Sequence, residues 1–276
     1  MRGQCIAGGA AMARSGSEDT LARGSFVRVL RAEALKSRHG APVRLAIVLA
    51  LPFPLLAAFV ALSVPQFGLS YSPWNYWYAL LMPVSITLIA ATVANADARL
   101  GNHTLLSSGV PLHLAWGAKV AWCLALLLLS NLVVFAVYAV MSLVVPQGAA
   151  SMSAMLAVAL ALTVMGSWMI PATHFLTMRV GMLAGVFVPL AVQLALSLGW
   201  SVVPFWPACP PAATIVLPTA FLPVLPSGEP ASPGMALVES LSQGPDVALA
   251  LIVAAVLTAA LTAAGAVWLD RSEELR

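Results

Sequence analysis

Long apolar stretches separated by short polar segments dominate this 276-residue chain. A helix needs about 20 residues, at a rise of about 1.5 Å each, to cross the hydrocarbon core of a bilayer, which is about 30 Å thick. Six stretches come close to that length, which predicts an all-α, polytopic membrane protein with six transmembrane helices. Within a membrane domain of residues 41–276, the predicted spans are residues 45–64, 75–94, 116–145, 152–170, 181–200 and 247–269.

Residues 25–40 have the pattern of an amphipathic helix ahead of the first span. At about 100° per residue, apolar side chains, Val27 among them, gather on one arc and basic side chains on the other. We expect this helix to lie in the headgroup layer of a membrane, although the same charges could serve only to orient the first span. Glu33 and Leu35 fall on the wrong arcs. The residues that carry the pattern are Phe26, Arg28, Leu30, Arg31 and Lys36. Residues 1–24 are predicted to be a disordered cytoplasmic tail.

The connection 95–115, between the second and third spans, mixes polar and apolar side chains. A short helix of that kind could dock into a partner protein, and an ordinary solvated loop is the alternative. The candidate docking residues are Asp97, Arg99, Leu100, Asn102, Leu105 and Leu106.

Residues 201–246 contain ten of the chain's 20 prolines and yet remain largely apolar. Because proline prevents a regular helical span, we expect a bent or re-entrant element that rests against the ends of the helices. A partly disordered loop is the alternative.

Composition restricts the class of protein further. Apolar residues make up 61% of the chain, charged residues 8%, and the mean hydropathy is +0.95. A soluble domain has about 25% charged residues, so this chain cannot coat itself with groups that water solvates well. It must present apolar surface to lipid.

The 13 lysines and arginines determine the predicted orientation. In the six-span scheme, every one of them falls on the same side of the membrane as the two termini. Cytoplasmic connections carry an excess of lysine and arginine. We therefore predict a multi-pass protein of a bacterial-type plasma membrane with both termini in the cytoplasm.

The sequence carries no recognisable catalytic pattern, and the chain is not expected to be an enzyme. It has no GxxxxGK[ST] phosphate loop, no HExxH and no GxSxG, and its three cysteines show no metal-site or disulfide spacing. Within the predicted spans the only charged residue is Lys119. Ion-coupled transporters need such charges to bind the driving ion, so we expect a partner to supply the energy. Polar residues in the spans, such as Asn131, Thr163 and Gln193, are expected to form interhelical hydrogen bonds rather than a substrate site.

Residues 75–120, NYWYALLMPVSITLIAATVANADARLGNHTLLSSGVPLHLAWGAKV, resemble the permease subunits of ABC-2 type exporters, and more narrowly those of lantibiotic self-protection (immunity) transporters. The similarity lies in an aromatic span, an acidic residue, a Leu-Leu-Ser-x-Pro-like stretch and a lysine that opens the third span. A second similar segment is FLPVLPSGEP, residues 221–230. The positions that carry the first match are Asp97, Leu105 to Ser108, Pro111 and Lys119.

The resemblance implies a type V exporter-like permease whose first helix is an interfacial elbow. Two permease subunits, identical or sister subunits, would form the path for an amphipathic peptide. Two copies of a cytoplasmic ATPase, which would bind the ATP and magnesium, would receive the 97–106 segment. This chain would then hold no cofactor and no metal, and would bind no nucleic acid. The outer element would be where the peptide leaves, with Pro218, Phe221, Pro226 and Gly228 as its candidate residues.

A different class of function is compatible with the same residues. The chain could be a membrane scaffold or sensor that transports nothing and binds peptide at 201–246. The presence or absence of a cognate ATPase separates the two hypotheses.

Overall fold

The computed structural model describes residues 26–38, 40–98, 111–232, 234–242 and 244–274. Within these ranges the regular structure is helical, apart from one isolated antiparallel bridge between Val224 and Pro230. Five helical segments are long and apolar enough to cross a membrane: Ala41–Ser63, Ser72–Ala96, Leu112–Val144, Met152–Arg179 and Pro245–Arg271. The prediction of an all-α, polytopic membrane protein is confirmed at this level.

The helices follow one another along the chain with short connections. We number them α1 (26–37), α2 (Ala41–Val48), α3 (Pro52–Ser63), α4 (Ser72–Tyr76), α5 (Met82–Ala98), α6 (Leu112–Val144), α7 (Met152–Gly166), α8 (Met169–Arg179), α9 (Met182–Leu198), α10 (Pro210–Val216), α11 (Ala236–Ser242) and α12 (Pro245–Glu274).

The predicted spans differ from these helices mainly at their ends. The first helical segment begins at Ala41 rather than at residue 45, and the fourth continues to Arg179 rather than ending at 170. Apolar content marks where lipid begins, whereas a helix continues through flanking polar residues as long as its backbone hydrogen bonds are made. The predicted span 181–200 corresponds to α9, an apolar helix of 17 residues.

Two membrane-length segments are interrupted at prolines. Pro52 begins α3 after a break that follows Val48, as expected because proline has no N–H to donate to the preceding turn. In the second segment a π-helical turn, Trp77–Leu81, joins α4 to α5 just before Pro83. The wider turn lies where Pro83 cannot donate to the carbonyl group of Ala79, four residues earlier.

The second and fourth membrane-length segments are the most buried, and the first and last are the most exposed. α5 packs against α6, α8 and α9, and α12 packs against α6, α7 and α8. Large apolar side chains such as Phe59, Phe187 and Ile252 remain exposed on the outer helices. An apolar surface this extensive suits contact with lipid rather than with water.

Polar side chains inside the bundle link neighbouring helices. Trp77 Nε1 donates to Asn131 Oδ1 at 3.1 Å, and Asn131 Nδ2 donates to Thr163 Oγ1 at 3.1 Å, which connects α5's π turn, α6 and α7. Ser130 Oγ donates to the carbonyl of Ala46 at 2.9 Å. The prediction that Asn131 and Thr163 form interhelical hydrogen bonds is confirmed, as is common in membrane helices.

Gly265 of α12 allows the close approach of α6. A Cβ atom at this position would lie 2.2 Å from the indole ring of Trp116. That ring is buried, and its Nε1 donates to the carbonyl of Thr262 at 3.0 Å.

We predict that Gly265→Ala destabilises the protein by about 1–3 kcal/mol, because the added methyl forces the buried indole to move. Gly117→Ala is the matched control, since its Cβ would meet Phe26 at 3.6 Å, an ordinary contact. Thermal unfolding in detergent measures both variants. Equal midpoints for the two variants would contradict the packing described here.

Candidate functional site

One end of the bundle, which we call the basic end, carries seven lysines and arginines of the described residues: Arg28, Arg31, Lys36, Arg38, Lys119, Arg179 and Arg271. It comprises α1, the C-terminal turn of α5, the N-terminal turns of α6, the turn between α8 and α9, and the C-terminal turns of α12. Arg44 lies in α2, outside the elements of this end. His113 Nδ1 lies 3.6 Å from Asp270 Oδ2 at the basic end, so α6 and α12 also meet there.

The amphipathic helix α1 packs on α6 through one face. Phe26 is half-buried near Gly117, and Leu30 is also half-buried. The predicted basic arc is exposed: Arg28, Arg31 and Lys36. Val27, predicted for the apolar arc, is instead 62% exposed, because the buried face is centred on Phe26, Glu33 and Ser37. Part of the face expected to meet lipid therefore meets protein.

A buried ion pair joins α1 to α6. Lys119 Nζ lies 3.3 Å from Glu33 Oε2, and both side chains are about 95% buried, with exposures of 5% and 6%. Lys36 Nζ, at the exposed side, lies 3.0 Å from Glu33 Oε1. Two charges removed from water require such a pairing, because each alone would carry a large desolvation cost.

Neither Glu33 nor Lys119 was among the candidate site residues. The sequence nevertheless contains an indication of this pair. Glu33 is an acid on the apolar arc of an amphipathic helix, and Lys119 is the only charge in a predicted span. Two misplaced charges of opposite sign indicate a pair, but the sequence does not say that they are close. Only the packing of α1 on α6 brings together residues separated by 86 positions.

The candidate docking segment is described only at its edges. Asp97 belongs to the last turn of α5, and α6 begins at Leu112. Arg99, Leu100, Asn102, Leu105 and Leu106 lie outside the described residues. The segment therefore connects two helices of the bundle core, and the second of them holds the ion pair with α1.

We predict that Lys119→Met lowers the free energy of unfolding by about 1–3 kcal/mol, because buried Glu33 loses this partner and keeps the half-exposed Lys36. The double variant Lys119→Met/Glu33→Leu should recover most of that loss, since a well-packed apolar pair often replaces a buried ion pair without cost. Lys36→Met, at a half-exposed position, is the control and should change little. Thermal unfolding of the purified protein measures all three, and a double variant no more stable than Lys119→Met would refute the pairing.

The opposite end, which we call the acidic end, comprises residues 64–71, 145–151 and 199–246. It contains no lysine or arginine. The acids are Glu229, Glu239 and Asp246.

A tight turn at residues 225–228 is hydrogen-bonded to Asn75 of α4. Gly228 adopts a φ of 89°, a left-handed conformation that favours glycine, and its N–H donates to the carbonyl of Leu225 at 2.9 Å. Asn75 Nδ2 donates to the carbonyls of Leu225 at 3.2 Å and Pro226 at 3.4 Å. The same amide donates to Tyr78 OH at 2.8 Å. The turn is therefore held by the bundle and does not stand apart from it.

An aromatic cluster holds the other two connections of the acidic end. Tyr71 stacks on Tyr138 with ring centroids 5.3 Å apart, and Trp74 lies 4.6 Å from Tyr138. The N–H of Ala150 donates to Tyr71 OH at 2.7 Å. Burial raises the pKa of the Tyr71 phenol, so the hydroxyl stays protonated and donates toward Met155 Sδ.

The proline-rich stretch inserts a short helix among α7, α9 and α12. Every residue of α10 is buried, and the following 3₁₀ turn, Leu217–Ala220, includes buried Pro218. Gln193, five residues before the end of α9, donates to the carbonyl of Pro211 at 3.4 Å. The backbone of this element thus lies beside the helices, and irregular backbone of this kind requires cover by protein.

Two cavities are lined by residues of the acidic end, and the smaller one includes two residues of the 225–228 turn. The smaller, about 230 Å³, is lined by Asn75, Tyr76, Ala79, Leu80, Leu198, Trp200, Ile215, Pro226 and Ser227. The larger and more open one, about 400 Å³, is lined by Ala150, Ser151, Ala154, residues 219–223, Ala231, Ser232 and Val238. Of the predicted outer residues, Pro226 lines the smaller cavity and Phe221 the larger. Gly228 shapes the 225–228 turn, and Pro218 lies beneath the surface.

The strongest candidate for metal chemistry is the pair Cys123 and His174, whose Sγ and Nε2 atoms lie 3.6 Å apart inside the bundle. Trp116 packs edge-on against the imidazole at 5.8 Å. Within the described residues, no third His, Cys, Asp or Glu joins this pair in a group that could hold a metal ion. The pair therefore links α6 to α8 as a packing contact.

No protein-family model, curated protein or solved structure matches this chain. The architecture that follows from the structure itself is that of a multi-pass, all-α membrane protein with one basic and one acidic end.

Proposed function

We propose that this chain is the membrane-spanning permease subunit of an ABC-2 type exporter that expels an amphipathic, lantibiotic-type peptide from the membrane. A separate ATPase, present in two copies, supplies the energy, and a second permease completes the path. The observation that carries the proposal is the arrangement around the 95–115 connection. This connection joins α5 to α6, and α6 is tied to α1 by the buried Glu33–Lys119 pair.

That arrangement is suited to a subunit whose movement is powered by a separate partner protein. Movement of the connection would act on two core helices together, and through Lys119 on the interfacial helix as well. Interhelical hydrogen bonds through Asn131 would pass the displacement to α7. Such contiguous, packed contacts are the physical means by which helices transmit motion.

The proposal includes six spans, with α9 as the fifth. At about 1.5 Å per residue its 17 residues extend about 25 Å, a little short of the hydrocarbon thickness. The 3₁₀ turn Trp200–Val202 continues the chain beyond it. With six spans, the basic end is cytoplasmic and the acidic end is outside, in accordance with the positive-inside rule.

The orientation is tested by labelling single cysteines from outside intact cells, in a variant with Cys5, Cys123 and Cys209 replaced by serine. We expect a membrane-impermeant maleimide to label Ser70→Cys and Ser232→Cys, at exposed positions of the acidic end. It should not label His113→Cys or Arg179→Cys until the cells are permeabilised. Labelling of Arg179→Cys in intact cells would refute the orientation.

The ATPase partnership is tested by co-purification with an ATPase encoded beside this chain. We expect the double replacement Asp97→Ala/Arg99→Ala to lower the recovery of that ATPase by about tenfold, a loss of about 1.4 kcal/mol of binding. Arg271→Ala, at the same end in α12, is the matched control. Unchanged ATPase recovery and peptide export in the double variant would refute the docking role. Peptide binding without any ATPase partner would favour the sensor or scaffold function instead.

A further inference from the structure

The smaller cavity at the acidic end has largely apolar walls and polar groups at one edge. Ala79 forms part of its inner wall, and Ile215 of α10 faces the same space. Tyr76 and Trp200, both amphipathic aromatic residues, also line it, while Asn75 and Ser227 add polar groups. Apolar walls with a few polar groups at one edge are typical of ligand sites.

The size of this cavity limits what can enter. Its volume of about 230 Å³ lies below the range of about 300–1,000 Å³ that is usual for drug-sized ligands. A whole amphipathic molecule does not fit, whereas one apolar side chain of a larger molecule does. The rim is accessible, since Tyr76 is 45% exposed and Leu198 is 63% exposed.

The acidic residues of the connections around the cavity favour a ligand with positive charge. The connections 65–74, 146–151 and 201–246 contain three acids and no lysine or arginine. Glu229, which is exposed, directly follows the turn whose Pro226 and Ser227 line the cavity. A surface with charges of one sign attracts ligands of the other sign and repels those of its own.

We infer that this cavity binds an aliphatic side chain of a cationic amphipathic peptide, whose positive charges lie near Glu229. The inference rests on the proposed function and deepens it, because it assigns contact with the peptide to a defined site. A lipid acyl chain would fit the apolar walls equally well, but it gains nothing from the nearby acidic residue Glu229. Lipid occupancy is therefore an outcome of the test that overturns the inference.

The first experiment locates the bound side chain. The purified chain, in nanodiscs of zwitterionic phosphatidylcholine and without any ATPase, is mixed with a lysine–leucine peptide that carries one photoreactive leucine. We expect crosslinks at the cavity lining, in residues 76–80, 198–200 and 215. Crosslinks spread over the exposed apolar helices, for example around Phe59 of α3, would overturn the inference.

The second experiment measures the dissociation constant of the same peptide for variants, with empty nanodiscs subtracted. Ala79→Phe fills the cavity and should raise the constant about tenfold or more, as expected when the burial of one aliphatic side chain is lost. Ala255→Phe, at an exposed position of α12, is the matched control and should leave it unchanged. If Ala79→Phe lowers thermal stability, Leu198→Trp at the exposed rim provides the same test.

The charge is tested separately. Glu229→Lys should raise the dissociation constant about two- to fivefold at low salt, and the effect should shrink at high salt. An unchanged constant in Glu229→Lys would overturn the assignment to a cationic peptide, and an unchanged constant in Ala79→Phe, as expected if lipid fills the cavity, would overturn the inference. Because no ATPase is present, loss of ATPase coupling would refute the proposed function without affecting this result. Conversely, export without binding at this cavity would refute the inference alone.

Discussion

Several buried polar side chains of this chain find their partners on another helix, and these pairings tie neighbouring helices of the bundle together. The hydrocarbon core of a membrane offers no hydrogen bonds, so each unpaired group would cost several kcal/mol. The pair Glu33–Lys119 and the chain of hydrogen bonds from Trp77 through Asn131 to Thr163 meet this requirement. They add specificity to the choice of neighbouring helices, because apolar side chains pack against lipid as readily as against each other.

Buried polar groups are paired at both ends of the bundle, but the partners differ. At the basic end, one buried charge pair attaches an amphipathic helix whose remaining charges stay in contact with water. At the acidic end, the side chain of Asn75 donates to two backbone carbonyls of a tight turn, and one of them, that of Leu225, also accepts from the N–H of Gly228. The first arrangement connects helices that could move together. The second holds in place a turn that lines the smaller cavity.

Several features of the fold could be predicted from the sequence because they depend on composition alone. Apolar length predicts helices that cross a membrane, and Pro52 and the proline-rich stretch predict breaks in helical backbone. The boundaries were less accurate, since a helix continues beyond its apolar part, as α8 does to Arg179. Val27 was assigned to the wrong face for a related reason. Periodicity shows which residues share an arc, but the position of the buried arc depends on what packs against it.

The sequence by itself determined that this protein belongs in a membrane and that its backbone is helical. Each of these is a property of local composition or of order along the chain, and so needs no knowledge of contacts. Only the tertiary structure decided that Glu33 meets Lys119, that Asn75 holds the 225–228 turn, and that the cavity beside Ala79 exists. These features join residues as many as 150 positions apart. Their partners are selected by packing in three dimensions, and an apolar chain with so few polar residues gives no local signal of which distant partner each one will find.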